Sequence, residues 1–370
     1  MKLQSIDWRP EDPAILANPY PIFSRMRDED PCYWSDRLRS WVITRYDDVK
    51  AMCLDKERLS SDRLRPFFQS LPGSEASRIS EIIRYLSLWM VFKDPPEHTR
   101  LRKLTAKVFS ARAMQAMRPQ VGVPVQALAQ LKRLSDEIAL FIGSSRMSSD
   151  KYDTAEQATQ EMAAFFKALI GERRAHPKTD AISELVHLLD GEDRFSDDEL
   201  VASCILMLFA GHETTTNLIA NGVYALIHFP DAYQALRNDP TLAQNAVEEL
   251  LRYDGPSGSQ VRVVCRSFAL HGKELQAGQR VFMMLNAANR DPRAYPDPDR
   301  LDLSRDGAAH LAFGYGSHIC LGFPLARLEG MVAIPALLNR FRSLELLKEP
   351  PWINSLVFRG MQQCLLRGVR

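Results

Sequence analysis

From Asp197 to His228 the sequence places apolar residues at three- and four-residue spacing, and Ser196-Asp197-Asp198-Glu199 opens the run as a capping box. The acids of its first turn stand where a helix dipole favours negative charge. About 32 residues at 1.5 Å each make a helix of roughly 48 Å. A helix of that length crosses the whole molecule, so the rest of the chain must pack along it.

The surrounding pattern is mainly α with a small β region. Pro21 to Arg27 reads as a helix, Cys32-Tyr33-Trp34 and Trp41-Val42-Ile43-Thr44 as short strands, and Tyr46 opens another helix. Helical spacing dominates from Pro95 to about Arg252, with Asp239-Pro240 marking a further helix start. Gln260–Val264 and Arg280–Leu285 read as strands, with turns at His271-Gly272 and Ala277-Gly278. Pro335 lacks an N–H and predicts a kink in the last long helix. No linker, repeat or low-complexity tract interrupts the sequence, so residues 1–370 read as a single domain.

Composition narrows the function classes. The chain is 45% hydrophobic and 25% charged, ample for a large core that can enclose a cofactor. A net charge of +1 gives no reason to expect nucleic acid or an anionic membrane as a partner. The six cysteines (Cys32, Cys53, Cys204, Cys265, Cys320, Cys364) lack C-x-x-C spacing, which fits a reduced, cytoplasmic protein. The longest apolar run, Leu200 to Ala210, is too short to span a bilayer, and the first residues do not read as a signal peptide.

Two local features carry chemistry. At the midpoint of the long helix, Ala210-Gly211-His212-Glu213-Thr214-Thr215-Thr216 sets glycine, an acid and three threonines between apolar flanks. This is poor helix material and predicts a functional notch. Further on, Phe313-Gly314-Tyr315-Gly316-Ser317-His318-Ile319-Cys320-Leu321-Gly322 presents one cysteine on a glycine-punctuated loop just before a helix. The positive helix end and free backbone N–H groups favour thiolate there, so Cys320 is a metal ligand or a nucleophile.

This segment, with Leu325-Ala326-Arg327, resembles the cysteine-ligand loop of the cytochrome P-450 superfamily of soluble bacterial haem-thiolate monooxygenases. The resemblance implies haem b (iron protoporphyrin IX) held by Cys320 between that loop and the notch helix. Phe313, Gly314, Gly322 and Ala326 would shape the loop, and Ala210 and Gly211 would line the opposite face. Thr214 would hydrogen-bond dioxygen and Glu213 would help deliver protons. His98 and Arg102, four apart on one helix face, would bind the propionates together with Arg262 and His318. Glu249-Leu250-Leu251-Arg252 would be the structural Glu-x-x-Arg element.

The implied reaction inserts one oxygen atom from dioxygen into a small apolar or amphipathic molecule. The substrate pocket would draw on Arg63–Leu88, Ile205–Phe209, Pro256–Val261 and Ile353–Val357, the first moving as a lid around Phe67, Phe68 and Tyr85. Electrons would come from NAD(P)H through a separate ferredoxin or flavodoxin with its reductase, since no G-x-G-x-x-G follows a strand here. The protein is expected to be a monomer. Alternatives are a peroxide-driven haem-thiolate oxygenase, a non-catalytic haem protein, and a zinc protein using His310, His318 and Cys320.

The chain departs from the family's pattern once. Gly122-Val123-Pro124 follows Val121 directly, where members of the family add on the order of 30–40 residues of helix and strand. Losing an element that packs beside the long helix is expected to expose apolar surface there.

Overall fold

A computed structural model of the chain describes residues 6–108, 123–143, 150–188, 193–307 and 309–369. The Val121/Gly122 junction lies outside them. The chain divides into two compact units, Met1–Leu59 with Glu213–Arg370, and Ser60–His212.

The first unit holds a five-stranded sheet in the order β1 (Cys32–Ser35), β2 (Ser40–Ile43), β7 (Arg280–Met284), β4 (Ser259–Val264) and β3 (Leu59–Ser60). β2 and β7 run parallel, with Val42 opposite Phe282, while β4 returns antiparallel to β7 with Arg262 opposite Val281. Alternation along these strands feeds two cores. Ile43, Val281 and Met283 pack with Tyr46, Val49 and Cys53, whereas Val42, Phe282 and Met284 pack with Trp8, Phe23 and Met26. Both faces are therefore covered, which suits strands so rich in Val, Ile and Met. Two small ribbons complete the β structure: β5 (Phe268–Leu270) with β6 (Lys273–Leu275), and β8 (Ser343–Leu346) with β9 (Leu366–Val369).

A third core in this unit joins the helices Pro230–Asn238, Ala243–Asp254 and Phe323–Arg340 around Leu226, Leu236, Leu250, Ile334 and Leu338. The sequence predicts an α-helix from Pro240. A 3-10 turn, Pro240–Leu242, forms first, with Asp239 accepting from the Thr241 N–H, and the α-helix begins at Ala243. The helix Phe323–Arg340 runs on through Pro335, which is buried.

The second unit is helical: Leu64–Ser70, Gly73–Arg78, Ser80–Leu86, Glu97–Val108, Leu128–Gly143, Asp150–Ala175 and Ala181–His187. Its core includes Ile82, Leu86, Trp89, Leu104, Leu134, Ile138, Phe166 and Ile205. The segment expected to move as a lid is anchored at its far end. Tyr85 and Leu86 are fully buried, and the buried Glu156 carboxylate accepts the N–H groups of Glu81 (3.1 Å) and Ile82 (3.0 Å) at the start of their helix.

The long helix spans Asp197–His228, residues 197–212 in the second unit and 213–228 in the first. Its capping box is formed: Ser196 Oγ accepts the Glu199 N–H at 3.2 Å, and the Glu199 carboxylate accepts the Ser196 N–H at 2.9 Å. The helix does not break at the predicted weak point. Buried flanks, Cys204, Ile205 and Phe209 before it and Leu218 and Asn221 after it, override the low propensity of the intervening residues.

Candidate haem-thiolate site

Cys320 owes its position to backbone turns that only glycine takes comfortably. Gly314 (φ 72°) and Gly316 (φ 74°) both lie in the left-handed region. A Cβ on Gly314 would sit 2.2 Å from Gln260 Nε2, and one on Gly316 would sit 3.0 Å from the Cys53 carbonyl oxygen. Tight turns follow: the Gly314 N–H donates to Leu311 O (2.8 Å), Ile319 to Gly316 O (3.1 Å), and Cys320 to Phe313 O (2.8 Å). Gly322 is the N-cap of the helix Phe323–Arg340, with Pro324 in its first turn and the Ala326 N–H donating back to Gly322 O at 3.0 Å. The thiol of Cys320 is exposed at that helix end.

Cys265 is exposed as well, its S–H donating to Glu57 O at 3.4 Å, but the other four cysteines differ in environment. Burial pushes the Cys32 and Cys204 thiols up to about 12 and raises those of Cys53 and Cys364. Among the described residues no three or more His, Cys, Asp or Glu side chains gather as a metal-binding group. His310 instead faces Glu248, with Nε2 3.2 Å from Oε2, so the zinc alternative finds no ligand cluster.

Glu249 and Arg252 are buried and joined through two bonds of 2.7 and 2.9 Å. The remaining guanidinium N–H groups donate to the carbonyls of Asn289, Pro298 and Arg300, while Glu249 also accepts from the Asp302 N–H and from Arg305. Every partner lies in the stretch leading to the cysteine loop. The pair is a structural pin whose buried charges are satisfied by hydrogen bonds.

In the first unit Arg262 is buried on β4, its Nη1 donating to Val261 O at 2.9 Å, and His318 closes the 3-10 turn before Cys320. Glu213 and Thr214 are half-buried on the long helix. Two segments expected to share a pocket wall are strapped together. The Gly258 N–H donates to Val357 O (2.8 Å) and Ser259 Oγ to Leu356 O (2.8 Å). In the second unit His98 is buried and Arg102 half-buried on the helix Glu97–Val108. Ala210 and Gly211 are exposed in mid-helix, and a Cβ on Gly211 would meet nothing within 4 Å.

Within the first unit, an exposed sulfur donor at a helix N-terminus and the buried Arg262 guanidinium are groups of the kind that suit a haem's iron and carboxylates. Sequence reasoning placed Gln260 only within a pocket segment and missed its role beneath the loop, where its Oε1 accepts the Cys53 S–H at 3.5 Å and its Nε2 abuts Gly314, and it assigned no role to Glu248. No local motif marks Gln260; the double acid Glu248-Glu249 was the available signal for Glu248.

Comparison with known proteins places the chain in a family. The sequence profile described as Cytochrome P450 matches residues 125–358. The chain is 34% identical to the cytochrome P450 monooxygenase PikC of Streptomyces venezuelae, covering 96% of this chain and 92% of that protein. It is 35% identical to the vitamin D(3) 25-hydroxylase of Pseudonocardia autotrophica, over 96% and 93% of the two chains. The crystal structure of P450BioI in complex with an acyl carrier protein ligated to hexadec-9Z-enoic acid superposes with a TM-score of 0.87 at 30% identity, covering 96% of this chain and 99% of that one. The alignment to PikC extends over 397 positions, 27 more than the 370 residues here, so that relative carries residues without a counterpart in this chain.

Proposed function

The chain belongs to the cytochrome P450 family and is a monooxygenase of small organic molecules, and from that premise we propose that Cys320 is the thiolate ligand of a haem b. The observation that carries this reading is the exposed Cys320 thiol, set by the Gly314 and Gly316 turns at the N-terminus of the helix Phe323–Arg340. Thiolate-ligated haem supplies oxygen activation, because the thiolate pushes electron density toward O–O cleavage.

The chain's own residues do the rest. His98, Arg102, Arg262 and His318 would hold the two propionates through charge-assisted hydrogen bonds. Phe313, Gly314, Gly322 and Ala326 would shape the loop that holds the group, and Ala210 and Gly211 would leave room for it because they carry so little side chain. Glu213 holds a proton and Thr214 orients it at the reacting oxygen, as a positioned acid–alcohol pair can. The substrate is an apolar or amphipathic molecule bound against Pro256–Val261 and Ile353–Val357, and electrons arrive from NAD(P)H through a separate ferredoxin or flavodoxin and its reductase. The enzyme works as a cytoplasmic monomer.

Absorption of the dithionite-reduced protein under carbon monoxide tests this. The strongly red-shifted Soret band of thiolate-ligated haem is expected from the wild type and absent from Cys320→Ala. The same band in Cys320→Ala, or no haem in the purified wild type, overturns the assignment.

A further inference from the structure

His310 lies ten residues before Cys320 and has no part in the chemistry above, yet one ring nitrogen holds the loop backbone and the other, without a hydrogen bond of good geometry, faces a carboxylate. Nδ1 accepts the Ala312 N–H at 3.2 Å, so the neutral ring carries its proton on Nε2, 3.2 Å from Glu248 Oε2. The side chain is only 7% exposed, so water competes little for these partners. Glu248 is held in turn by Arg327, Nε to Oε1 at 2.6 Å and Nη2 to Oε2 at 2.7 Å. The Arg327 guanidinium lies 5.0 Å from the Phe313 ring centre and 4.9 Å from that of Phe323, bridging the two ends of the cysteine loop.

The backbone held by His310 is the backbone that holds Cys320. Ala312 precedes Phe313, whose carbonyl accepts the Cys320 N–H at 2.8 Å. One residue earlier, the Leu311 N–H donates to Asn289 Oδ1 at 2.7 Å, and the Leu311 carbonyl accepts from Gly314. Side chains thus fix two successive amides, and the loop hangs from them.

Resting on the reading of Cys320 as haem ligand, we infer that His310 is a positioning residue for that thiolate. Its Nδ1 fixes the Ala312–Phe313 backbone, and the Glu248 carboxylate, clamped by Arg327, biases the ring electrostatically from 3.2 Å. Polar groups behind a metal ligand commonly set its orientation and basicity, and their loss costs about 10- to 100-fold in metal affinity or activity.

Three holoprotein variants separate the contacts. His310→Asn keeps an acceptor near the Ala312 N–H but does not reach Glu248. His310→Gln reaches Glu248 but gives up the Nδ1 position, and His310→Ala loses both. Under reduction and carbon monoxide, His310→Ala is expected to shift much of the thiolate band to the position of thiol-ligated haem and to lose haem about 10- to 100-fold more readily. His310→Asn is expected to retain the band better than His310→Gln, with a reduction potential nearer the wild type's. An unchanged spectrum, potential and haem retention in His310→Ala overturns the inference, as does equal loss in the Asn and Gln variants. Should the Ala variant fail to fold, the Asn–Gln comparison still decides. A wild type that lacks the thiolate band refutes the haem assignment itself, before any variant is compared.

Discussion

Glu248 grips Arg327 through two bonds of 2.6 and 2.7 Å, one residue before Glu249 grips Arg252 through two of 2.7 and 2.9 Å. The two adjacent acids of one helix serve opposite ends of the same loop. Glu249 fixes the chain that approaches it, and Glu248 fixes the helix that leaves it. The first pair is half-exposed and the second buried, so the two are expected to respond differently to the same loss of charge.

Glu249→Gln leaves Arg252 buried beside a neutral amide, with its carbonyl partners unable to balance the charge. Breaking one side of a buried pair costs about 3–5 kcal/mol. Urea denaturation is expected to show a loss of that size, with haem retention falling in parallel. A change below about 1 kcal/mol, the range of exposed pairs, would show that the pin is dispensable.

Glu248 gives a pH signature. Burial raises its pKa, but the His310 and Arg327 contacts outweigh that and hold the carboxyl down at about 2, against an ordinary glutamate value of 4.5. A depressed acid contributes stability that is fully present above the ordinary value and is lost as pH falls through the folded one. Wild type minus Glu248→Gln isolates this contribution from that of other acids. The stability difference is expected to be constant above about pH 5 and to shrink toward pH 2. A difference that stays flat across that window would show that the Glu248 carboxylate adds no such stability.

Gly314 is tested by a compensating pair. Gly314→Ala places a Cβ at a positive φ and against Gln260 Nε2, and a strained backbone position costs about 1–3 kcal/mol. Adding Gln260→Ala removes the clash but not the conformational strain. The double variant is expected to recover part of the lost thermal stability. Full recovery would show that crowding rather than φ governs the position, and no recovery would show the reverse.

How far the sequence reached follows from how local each signal is. The conformation of the cysteine loop was legible because its glycines, its cysteine and the first turn of the next helix lie close together in sequence, each needed for a turn or a cap. The capping box at Ser196 and the long helix were legible for the same reason. Gln260 beneath Gly314 and Glu248 behind His310 join positions 54 and 62 residues apart, and neither contact leaves a periodic trace. The anchoring of Ser80–Leu86 by Glu156 is likewise tertiary, which is why that segment reads as a mobile lid in sequence although Tyr85 and Leu86 are fully buried.

Glu213 and Thr214 are expected to matter for protons rather than for folding. A positioned acid–base group contributes about 10²- to 10⁴-fold to a proton-transfer step. Glu213→Gln should therefore slow product formation by at least about 10²-fold with substrate binding little changed, and Thr214→Val should divert electrons from product toward reduced oxygen species. The check is the ratio of product formed to electron donor consumed, measured beside substrate affinity. If both variants keep the wild-type ratio and rate, protons reach the site by another route.

At the Val121/Gly122 junction the sequence reads as lacking a segment that the family carries, and two apolar residues described just beyond it are exposed. Val125 is 75% exposed and Leu128 47%, unusual values for large apolar side chains at the start of a helix with a buried Leu131–Leu134–Ile138 stripe. The family profile also begins to match only at residue 125. Fully burying a Val or Leu side chain contributes about 1.5–3 kcal/mol. Inserting the corresponding PikC residues between Val121 and Gly122 is therefore expected to stabilise the chain by about 2 kcal/mol or more if it covers these two positions. Thermal unfolding of the holoprotein with and without the insert measures this. The aspartate variants Val125→Asp and Leu128→Asp distinguish the cause, being tolerated without the insert and destabilising with it. An insert that brings no gain, with both aspartates still tolerated, would mean that the surface at Val125 and Leu128 is native to this chain.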